Sequence, residues 1–177
     1  NLMLSDENDE LGSYVKSNSM YYDDFGQLHM IGEFVNNQNE TLKFLKIIIT
    51  FADRSGNILY TDYVYSDVDI IPPFTKTPFD MILKGNTDLI YSHKIETESY
   101  YGTTLPQKLE LSPFRYNTNY YSETFEIDGT IYNHGKNAAQ YTEIIITFYD
   151  DVGDIILTKS TYSDLDFIYP NTESTFQ

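Results

Sequence analysis

Residues 47–51 of this chain read Ile-Ile-Ile-Thr-Phe, and the same five residues recur in the same order at positions 144–148. Shifting the chain by 97 positions aligns residues 29–80 with residues 126–177 without a gap, and 19 of the 52 aligned positions are identical. Identity of this extent at one fixed offset indicates two copies of a single structural unit. We call the part around residues 29–80 the first copy and the part around residues 126–177 the second copy.

The repeated run predicts a β-strand with one buried face. Ile47, Ile49 and Phe51 fall on the same side of such a strand, and their counterparts in the second copy keep this alternation. The segment upstream, residues 29–34, also alternates with a period of two. We therefore expect a second strand there, again with one buried face.

Turn residues retained in both copies separate the predicted strands. Residues 53–57 and residues 150–154 each begin with Asp and have Gly in the fourth position, as a short hairpin loop with a bulge requires. Gly32 and Gly129 lie inside predicted strands, where a retained glycine indicates a bulge or a close backbone approach. Pro73 and its counterpart end an extended segment, because proline cannot donate a hydrogen bond to a central strand.

Short strands separated by turns, without a helical period, predict an all-β fold of the sandwich type. We expect a first domain at residues 1–101, a linker at residues 102–108 and a second domain at residues 109–177. An alternating segment at residues 89–95 is interpreted as the closing strand of the first copy, and the second copy lacks this strand. Either the polypeptide continues beyond Gln177, or another chain adds a strand to the open edge.

Composition excludes several classes of protein. The 177 residues include 17 Tyr and 11 Phe, which favour strands, but neither Trp nor Cys. The absence of Cys excludes disulfides, thiol catalysis and thiolate zinc sites. A formal net charge of −16 repels nucleic acid and anionic lipid alike. No apolar run reaches the roughly 18 residues that cross a bilayer, so we expect no direct membrane insertion of this fragment, which we interpret as a mature or trimmed chain.

Four short segments resemble the FxLYD domain family. They are Gly-Glu-Phe-Val-Asn at 32–36, Thr-Phe-Ala-Asp at 50–53, Pro-Phe-Thr-Lys-Thr-Pro-Phe at 73–79 and, in the second copy, Thr-Phe-Tyr-Asp at 147–150. The stretch at residues 13–32 is similar to the tandem copies in secreted proteins of ammonia-oxidising archaea.

The resemblance implies an immunoglobulin-like sandwich on the outer side of the membrane, without assigned catalysis. The expected fold class is therefore all-β, with two tandem immunoglobulin-like β-sandwich domains. The chain departs from the family at one turn, where the usual Pro-Gly reads Pro73-Phe74 in the first copy and Pro170-Asn171 in the second. This departure leaves the geometry of that turn open.

Repeated carboxylates are the candidate metal ligands of the chain. Asp67 and Asp69 recur as Asp164 and Asp166, and calcium prefers several oxygen ligands of this kind. The alternative is a solvated strand face that binds no metal, and we expect no cofactor.

The three histidines do not indicate catalysis. His29, His93 and His134 lie apart from any obvious Ser or Cys nucleophile in the sequence, and they do not recur at matched positions. We expect no catalytic residues, because a duplicated hydrolytic site would recur in both copies.

Tyrosines are the candidate ligand-binding side chains. Tyr60, Tyr63 and Tyr65, or Tyr100 and Tyr101, supply enough rings for a sugar-stacking platform. The alternative is that they pack in a core or in cross-strand pairs.

Asn39 begins the N-glycosylation sequon Asn-Glu-Thr in a polar loop, which suits a protein outside the cell. Together these features predict a non-enzymatic structural or adhesion module, extracellular or at the cell surface, that makes protein contacts or acts as a spacer. The expected partners are other surface proteins, or a second copy of the chain through the open strand edge. The alternatives are a carbohydrate- or calcium-binding module, and accessory domains of a larger exported protein.

Overall fold

The computed structural model describes residues 12–85, 87–103, 108–119, 121 and 124–177. These residues form β-strands and one short 3-10 turn at Thr87–Leu89, which confirms the all-β prediction. No helix in the described residues has the length and apolar character that a membrane span requires. The strands are β1 (Tyr14–Tyr22), β2 (Leu28–Val35), β3 (Thr41–Ala52), β4 (Ile58–Tyr65), β5 (Ile70–Ile71), β6 (Lys76–Ile82), β7 (Ser92–Gly102), β8 (Leu109–Leu111), β9 (Arg115–Asn119), β10 (Thr124–Asn133), β11 (Ala139–Gln140), β12 (Glu143–Tyr149), β13 (Ile155–Tyr162), β14 (Phe167–Ile168) and β15 (Glu173–Phe176).

The contacts of the chain divide it into two compact units. Unit 1 comprises Asn1–Leu105 together with Thr147–Thr158, and unit 2 comprises Pro106–Ile146 together with Lys159–Gln177. The tip of the β12–β13 hairpin thus belongs to unit 1 by its contacts. The domain boundaries expected from the repeat stay a prediction, and residues 1–11 and 104–107, which fall within the predicted first domain and linker, lie outside the described residues.

Two antiparallel sheets of unit 1 enclose one core, as expected for a β-sandwich. One sheet has the order β1-β2-β6, and the other has β3 at its centre, paired with β7 and with β4 and β5. Strand β7 forms the closing strand, although it begins three residues later than the predicted segment and extends to Gly102. Buried side chains of both sheets form the core: Met30, Phe34, Leu42, Leu45, Ile47, Ile49, Phe51, Ile71, Phe79, Met81 and Leu83.

The strands of the second copy repeat much of the pairing of the first around a smaller buried cluster, and β12 and β13 are each divided between unit 2 and unit 1. Strand β10 pairs with β15, β8 and β9, while β11 pairs with β14 and β12 with β13. The register of the pairs is the same in both copies, since Leu42 faces Ile71 and, 97 positions later, Ala139 faces Ile168. The buried cluster comprises Ile131, Ala139, Ile144, Ile168 and Phe176.

The two glycines retained inside strands each lie beneath a phenylalanine of the neighbouring strand. Gly32 pairs with Phe79 and Gly129 pairs with Phe176. A Cβ atom added at Gly32 would lie 2.2 Å from Cζ of Phe79, and one added at Gly129 would lie 2.7 Å from Phe176. The predicted close approach is therefore confirmed, and the neighbour is an aromatic ring.

Strand β2 differs from the prediction because both of its faces are buried. Met30 and Phe34 face the core between the sheets, as predicted. On the opposite face Ile31 and Glu33 are also buried. Lys16, Lys76 and Tyr149 surround the Glu33 carboxylate. The alternating pattern identified the inner face but carried no signal for the cover on the outer one.

A buried asparagine holds the loop after β2 in each copy. The Asn36 amide donates hydrogen bonds to the carbonyl groups of Glu40, Ile71 and Pro72 at 2.9–3.0 Å. The Asn133 amide donates to Asn137 and Ile168 at equivalent positions. Both side chains are fully buried, so each amide supplies donors to buried and partly buried carbonyl groups of the loop.

The predicted hairpin loops are confirmed, and a third loop has the same chemistry. The Asp53 carboxylate accepts hydrogen bonds from the backbone N–H groups of Ser55 and Asn57, and Asp150 accepts the equivalent bonds. Asp23 accepts two such bonds in the β1–β2 loop. The hydrogen bonds from Asn57 lower the pKa of Asp53. In all three loops the fourth residue is a glycine with positive φ: Gly26, Gly56 and Gly153.

In the turn before β6, a residue other than glycine adopts the left-handed backbone conformation. Phe74 has a φ of 58° and its counterpart Asn171 has a φ of 60°. Hydrogen bonds from Thr75 and Thr172 to carbonyl groups three residues back close both turns. The turn therefore retains the left-handed geometry that a Pro-Gly sequence favours.

We expect Phe74→Gly to raise the free energy of unfolding of unit 1 by about 1 kcal/mol, because a bulky residue is strained at positive φ. Asn171→Gly is the matched control, and it should change stability by only a few tenths of a kcal/mol, since Asn tolerates this region. Urea denaturation of the two variants measures the difference. Equal effects at both positions would show that the phenylalanine is not strained.

Candidate binding surface

The outer face of the β3 sheet carries an ordered row of polar and aromatic side chains. In the strand register Lys46 lies between Tyr65 of β4 and Glu98 of β7. Two residues further along β3, Ile48 lies opposite Tyr63 of β4. The pairing of three separate strands thus brings together side chains that are far apart in the chain.

A bulge in β3 adds a phenylalanine to this surface. The register of β3 with β7 shifts between Lys43 and Lys46, and within the shift Phe44 has a φ of 51°. The Phe44 side chain is 56% exposed. A cleft of about 320 Å³ lies beside it, and we call the cleft together with Tyr63 the aromatic cleft. The cleft is lined by Phe44, Lys46, Tyr65, Glu98 and Tyr100.

Polar and ring contacts hold the side chains of the aromatic cleft in place. The Lys46 ammonium lies 4.5 Å from the centre of the Tyr63 ring and 3.6 Å from the Glu98 carboxylate. The rings of Tyr63 and Tyr65 meet edge to face at 6.0 Å. Both tyrosines and Tyr100 remain more than half exposed. The surface is therefore ordered and open to a ligand.

One tyrosine of the predicted platform faces the other way. Tyr60 packs on Phe51, with ring centres 4.9 Å apart, and lies against the core. Tyr63 and Tyr65 follow Tyr60 by three and five residues. Both spacings are odd, and this places both side chains on the opposite face of β4. The platform therefore consists of Tyr63, Tyr65 and Tyr100, and Tyr101 is exposed further along β7.

Unit 2 has an aromatic cluster around the corresponding left-handed residue. Tyr141, the counterpart of Phe44, also has positive φ, at 47°, and is 64% exposed. Its ring centre lies 6.2 Å from that of Phe167, which lies 6.5 Å from that of Tyr169. We call these three residues the second aromatic cluster. The sequence carried a signal for it, since an aromatic residue is present at the same repeat position in both copies.

The repeated aspartates lie in loops, not on strands as the sequence interpretation assumed. Asp67 and Asp69 are exposed between β4 and β5, and Asp164 and Asp166 are exposed at the matching place in unit 2. The backbone carbonyl groups of Asp69 and Asp166 accept hydrogen bonds from the N–H groups of the left-handed aromatic residues. In the described part of the chain, no group of three His, Cys, Asp or Glu side chains is arranged to bind a metal ion.

Asn39 and two of the histidines occupy surface or strand positions. Asn39 is exposed in the loop between β2 and β3, where a glycan has room. His93 lies on β7 beside Phe51, and burial lowers its pKa. His134 contacts the Glu110 carboxylate at 2.6 Å.

A buried charged cluster in unit 1 was not anticipated from the sequence. The Glu33 carboxylate, 1% exposed, accepts hydrogen bonds from Lys76 at 2.8 Å and from the Tyr149 hydroxyl, and Lys16 lies 3.6 Å away. Ser19 also donates to the backbone of the Thr147–Thr158 segment at 2.7 Å. The cluster thus fastens the hairpin tip to the β1-β2-β6 sheet.

The Glu33 carboxylate changes the pKa values of Lys76 and Tyr149, which both contact it. Burial alone would lower the pKa of Lys76, but hydrogen bonds with Glu33 and Tyr149 outweigh it and raise the pKa. Burial and the hydrogen bond to Glu33 raise the pKa of Tyr149. Both groups therefore keep their protons at neutral pH, as the contact with a carboxylate requires.

His29 lies in a second polar cluster at the end of β2. Its Nδ1 atom is 2.8 Å from Asp80 and its Nε2 atom is 3.5 Å from Asp23. The Tyr21 ring stacks on the imidazole at 4.8 Å, and its hydroxyl donates to Asp80 at 3.3 Å. The imidazole therefore contacts carboxylates through both ring nitrogens.

Alkaline unfolding tests this cluster. Burial, with the negative charge of Asp80, raises the pKa of Tyr21 to about 12. A pKa that is higher in the folded state contributes stability below pH 10, the ordinary tyrosine value, and this contribution is lost as the pH rises towards 12. We expect the urea midpoint to fall less between pH 10 and 11.5 in Tyr21→Phe than in the wild type. Tyr22→Phe, a neighbouring exposed position, serves as the control and should match the wild type.

Comparisons with family models, with curated proteins and with solved structures found no match to this chain. The FxLYD resemblance and the expected location outside the cell therefore stay predictions.

Proposed function

We propose that this chain is a non-enzymatic adhesion module, extracellular or at the cell surface, and that it makes its contacts through the aromatic cleft. The observation that carries the proposal is the grouping of exposed rings on one face of a sheet. Phe44, Tyr65 and Tyr100 come from three strands and surround the Lys46–Glu98 pair.

The physical basis is the low entropic cost of binding with such side chains. Tyrosine supplies a large contact area with only two rotatable side-chain bonds. A sheet holds these side chains in place before binding, so less freedom is lost on contact. Residues that dominate binding energy at interfaces are enriched in aromatic types, and a few of them account for most of it.

One further observation supports a role without catalysis. The repeat retains loop and core residues but no histidine. The FxLYD resemblance and the Asn39 sequon support the location outside the cell.

The test is capture of intact cells of the source organism by beads coated with the chain. Phe44→Asn combined with Tyr65→Ala removes two rings, and Asn tolerates the left-handed backbone at position 44. We expect capture to fall at least tenfold, since a dominant contact is worth about 2 kcal/mol. Tyr22→Ala, an exposed tyrosine on the other sheet of unit 1, is the matched control and should capture cells as the wild type does.

Unchanged capture by the double variant would contradict the proposal. Circular dichroism and a melting curve establish that each variant is folded before its capture is compared.

A further inference from the structure

We propose that the aromatic cleft and the second aromatic cluster are two sites for a neutral glycan, whose pyranose rings stack on the exposed aromatic side chains. This inference rests on the proposed function and names the class of ligand. It also assigns a binding site to each unit.

Both sites contain an exposed aromatic residue with a strained, left-handed backbone. A residue with a Cβ atom costs roughly 1–2 kcal/mol in the left-handed region. Glycine would avoid this cost, yet Phe44 and Tyr141 are both aromatic. Core packing does not explain the choice, because the side chains are 56% and 64% exposed. A ring presented to solvent at the same strained position in two copies indicates that the ring itself is used.

The chemical groups of the aromatic cleft match those of a sugar ring. A pyranose has an apolar C–H face, which packs on an aromatic ring, and hydroxyl groups at its rim that both donate and accept hydrogen bonds. Lys46 supplies donors and Glu98 supplies acceptors, 3.6 Å apart, beside the rings of Tyr65 and Tyr100. The two charges neutralise one another locally, which suits an uncharged ligand.

The volume of the cleft and the net charge of the chain also suit a small neutral ligand. A cleft of about 320 Å³ lies at the lower end of the range for small-ligand sites, roughly 300–1,000 Å³. The net charge of −16 repels anionic polysaccharides and leaves neutral ones unaffected.

The second aromatic cluster has the rings but a different polar setting. Glu143 stands where the first copy has Lys46, while Tyr162 corresponds to Tyr65. We therefore expect this site to be the weaker of the two. Two sites on one chain increase the avidity for a polymer with many repeated sugars, by a factor of about 10²–10⁴ in favourable cases.

Periodate treatment of the cells decides the class of ligand. Mild periodate cleaves vicinal diols of sugars and leaves the polypeptide backbone intact, and borohydride then reduces the aldehydes formed. We expect wild-type beads to capture treated cells at least tenfold less well than cells treated with borohydride alone. Full capture of periodate-treated cells that still depends on Phe44 and Tyr65 would overturn the glycan inference and leave the proposed function intact. Capture that does not depend on these two rings would instead remove the proposed function.

Single-site variants test the second site. We expect Tyr141→Asn to lower capture several-fold, Phe44→Asn to lower it more, and the double variant to lower it more than either. Both substitutions introduce asparagine, which tolerates positive φ. The melting temperature checks that both units stay folded. Wild-type capture by Tyr141→Asn would overturn the second site and leave the first.

Discussion

Replacing Asn36 with alanine is expected to lower the free energy of unfolding of unit 1 by about 2–3 kcal/mol. The Asn36 amide is fully buried and shares its two N–H donors among the carbonyl groups of Glu40, Ile71 and Pro72. The hydrogen bond to Ile71 is buried, and a buried acceptor left without a donor costs about 1–3 kcal/mol. Alanine also leaves a cavity where the amide was, which adds to the loss.

Two variants control for volume and for position. Asn36→Asp keeps the size of the side chain but removes the donors, and it places a carboxyl oxygen against carbonyl oxygens, so we expect a loss at least as large. Asn133→Ala removes two carbonyl contacts instead of three and should cost less. Hydrogen exchange of the core amides in each unit measures the effects separately. Losses below about 1 kcal/mol in both Asn36 variants would show that water satisfies these carbonyl groups.

Gly32→Ala is expected to destabilise unit 1 by about 2–3 kcal/mol, because the added methyl group collides with a ring that cannot move aside. The new Cβ atom would lie 2.2 Å from Phe79, which is fully buried within the core. Overpacking of this kind typically costs about 1–3 kcal/mol. The backbone at Gly32 is extended, and alanine adopts this conformation as readily as glycine. Backbone strain therefore does not contribute to the expected loss of stability.

The matched substitution in unit 2 and a double variant separate the collision from other effects. Gly129→Ala places its Cβ atom 2.7 Å from the Phe176 ring, so its cost should be smaller. In a Phe79→Leu background Gly32→Ala should cost at least 1 kcal/mol less than in the wild type, since residues in contact are energetically coupled. Additive effects of Gly32→Ala and Phe79→Leu would refute the explanation by steric contact.

The repeat predicted more of the fold than composition did. The alternation of Ile47, Ile49 and Phe51 identified a buried strand face, and the Asp and Gly residues at 53–57 identified a hairpin loop. Both depend on the local geometry of a few neighbouring residues, which is why the sequence was sufficient. The predicted one-sided burial of β2 was wrong because the cover of Glu33 comes from residues as distant as Tyr149.

The candidate site was only partly predictable for the same reason. Tyr63, Tyr65 and Tyr100 were recognised as available rings, but their grouping depends on the register of β4 and β7 with β3. Tyr60 was misplaced with them, although a period of two already puts it on the other face of β4. Phe44 was missed because its left-handed backbone arises from a bulge, and a bulge depends on the partner strand.

The sequence by itself determined the all-β class, the positions of several strands and the chemistry of the turns, because side-chain alternation and the φ preferences of Gly, Asp and Pro act over a few residues. Tertiary structure alone decided which side chains meet. The Glu33 cluster and the aromatic cleft both join residues that are distant in the chain, and the pairing of separate strands sets such contacts through register and burial, which local patterns do not encode.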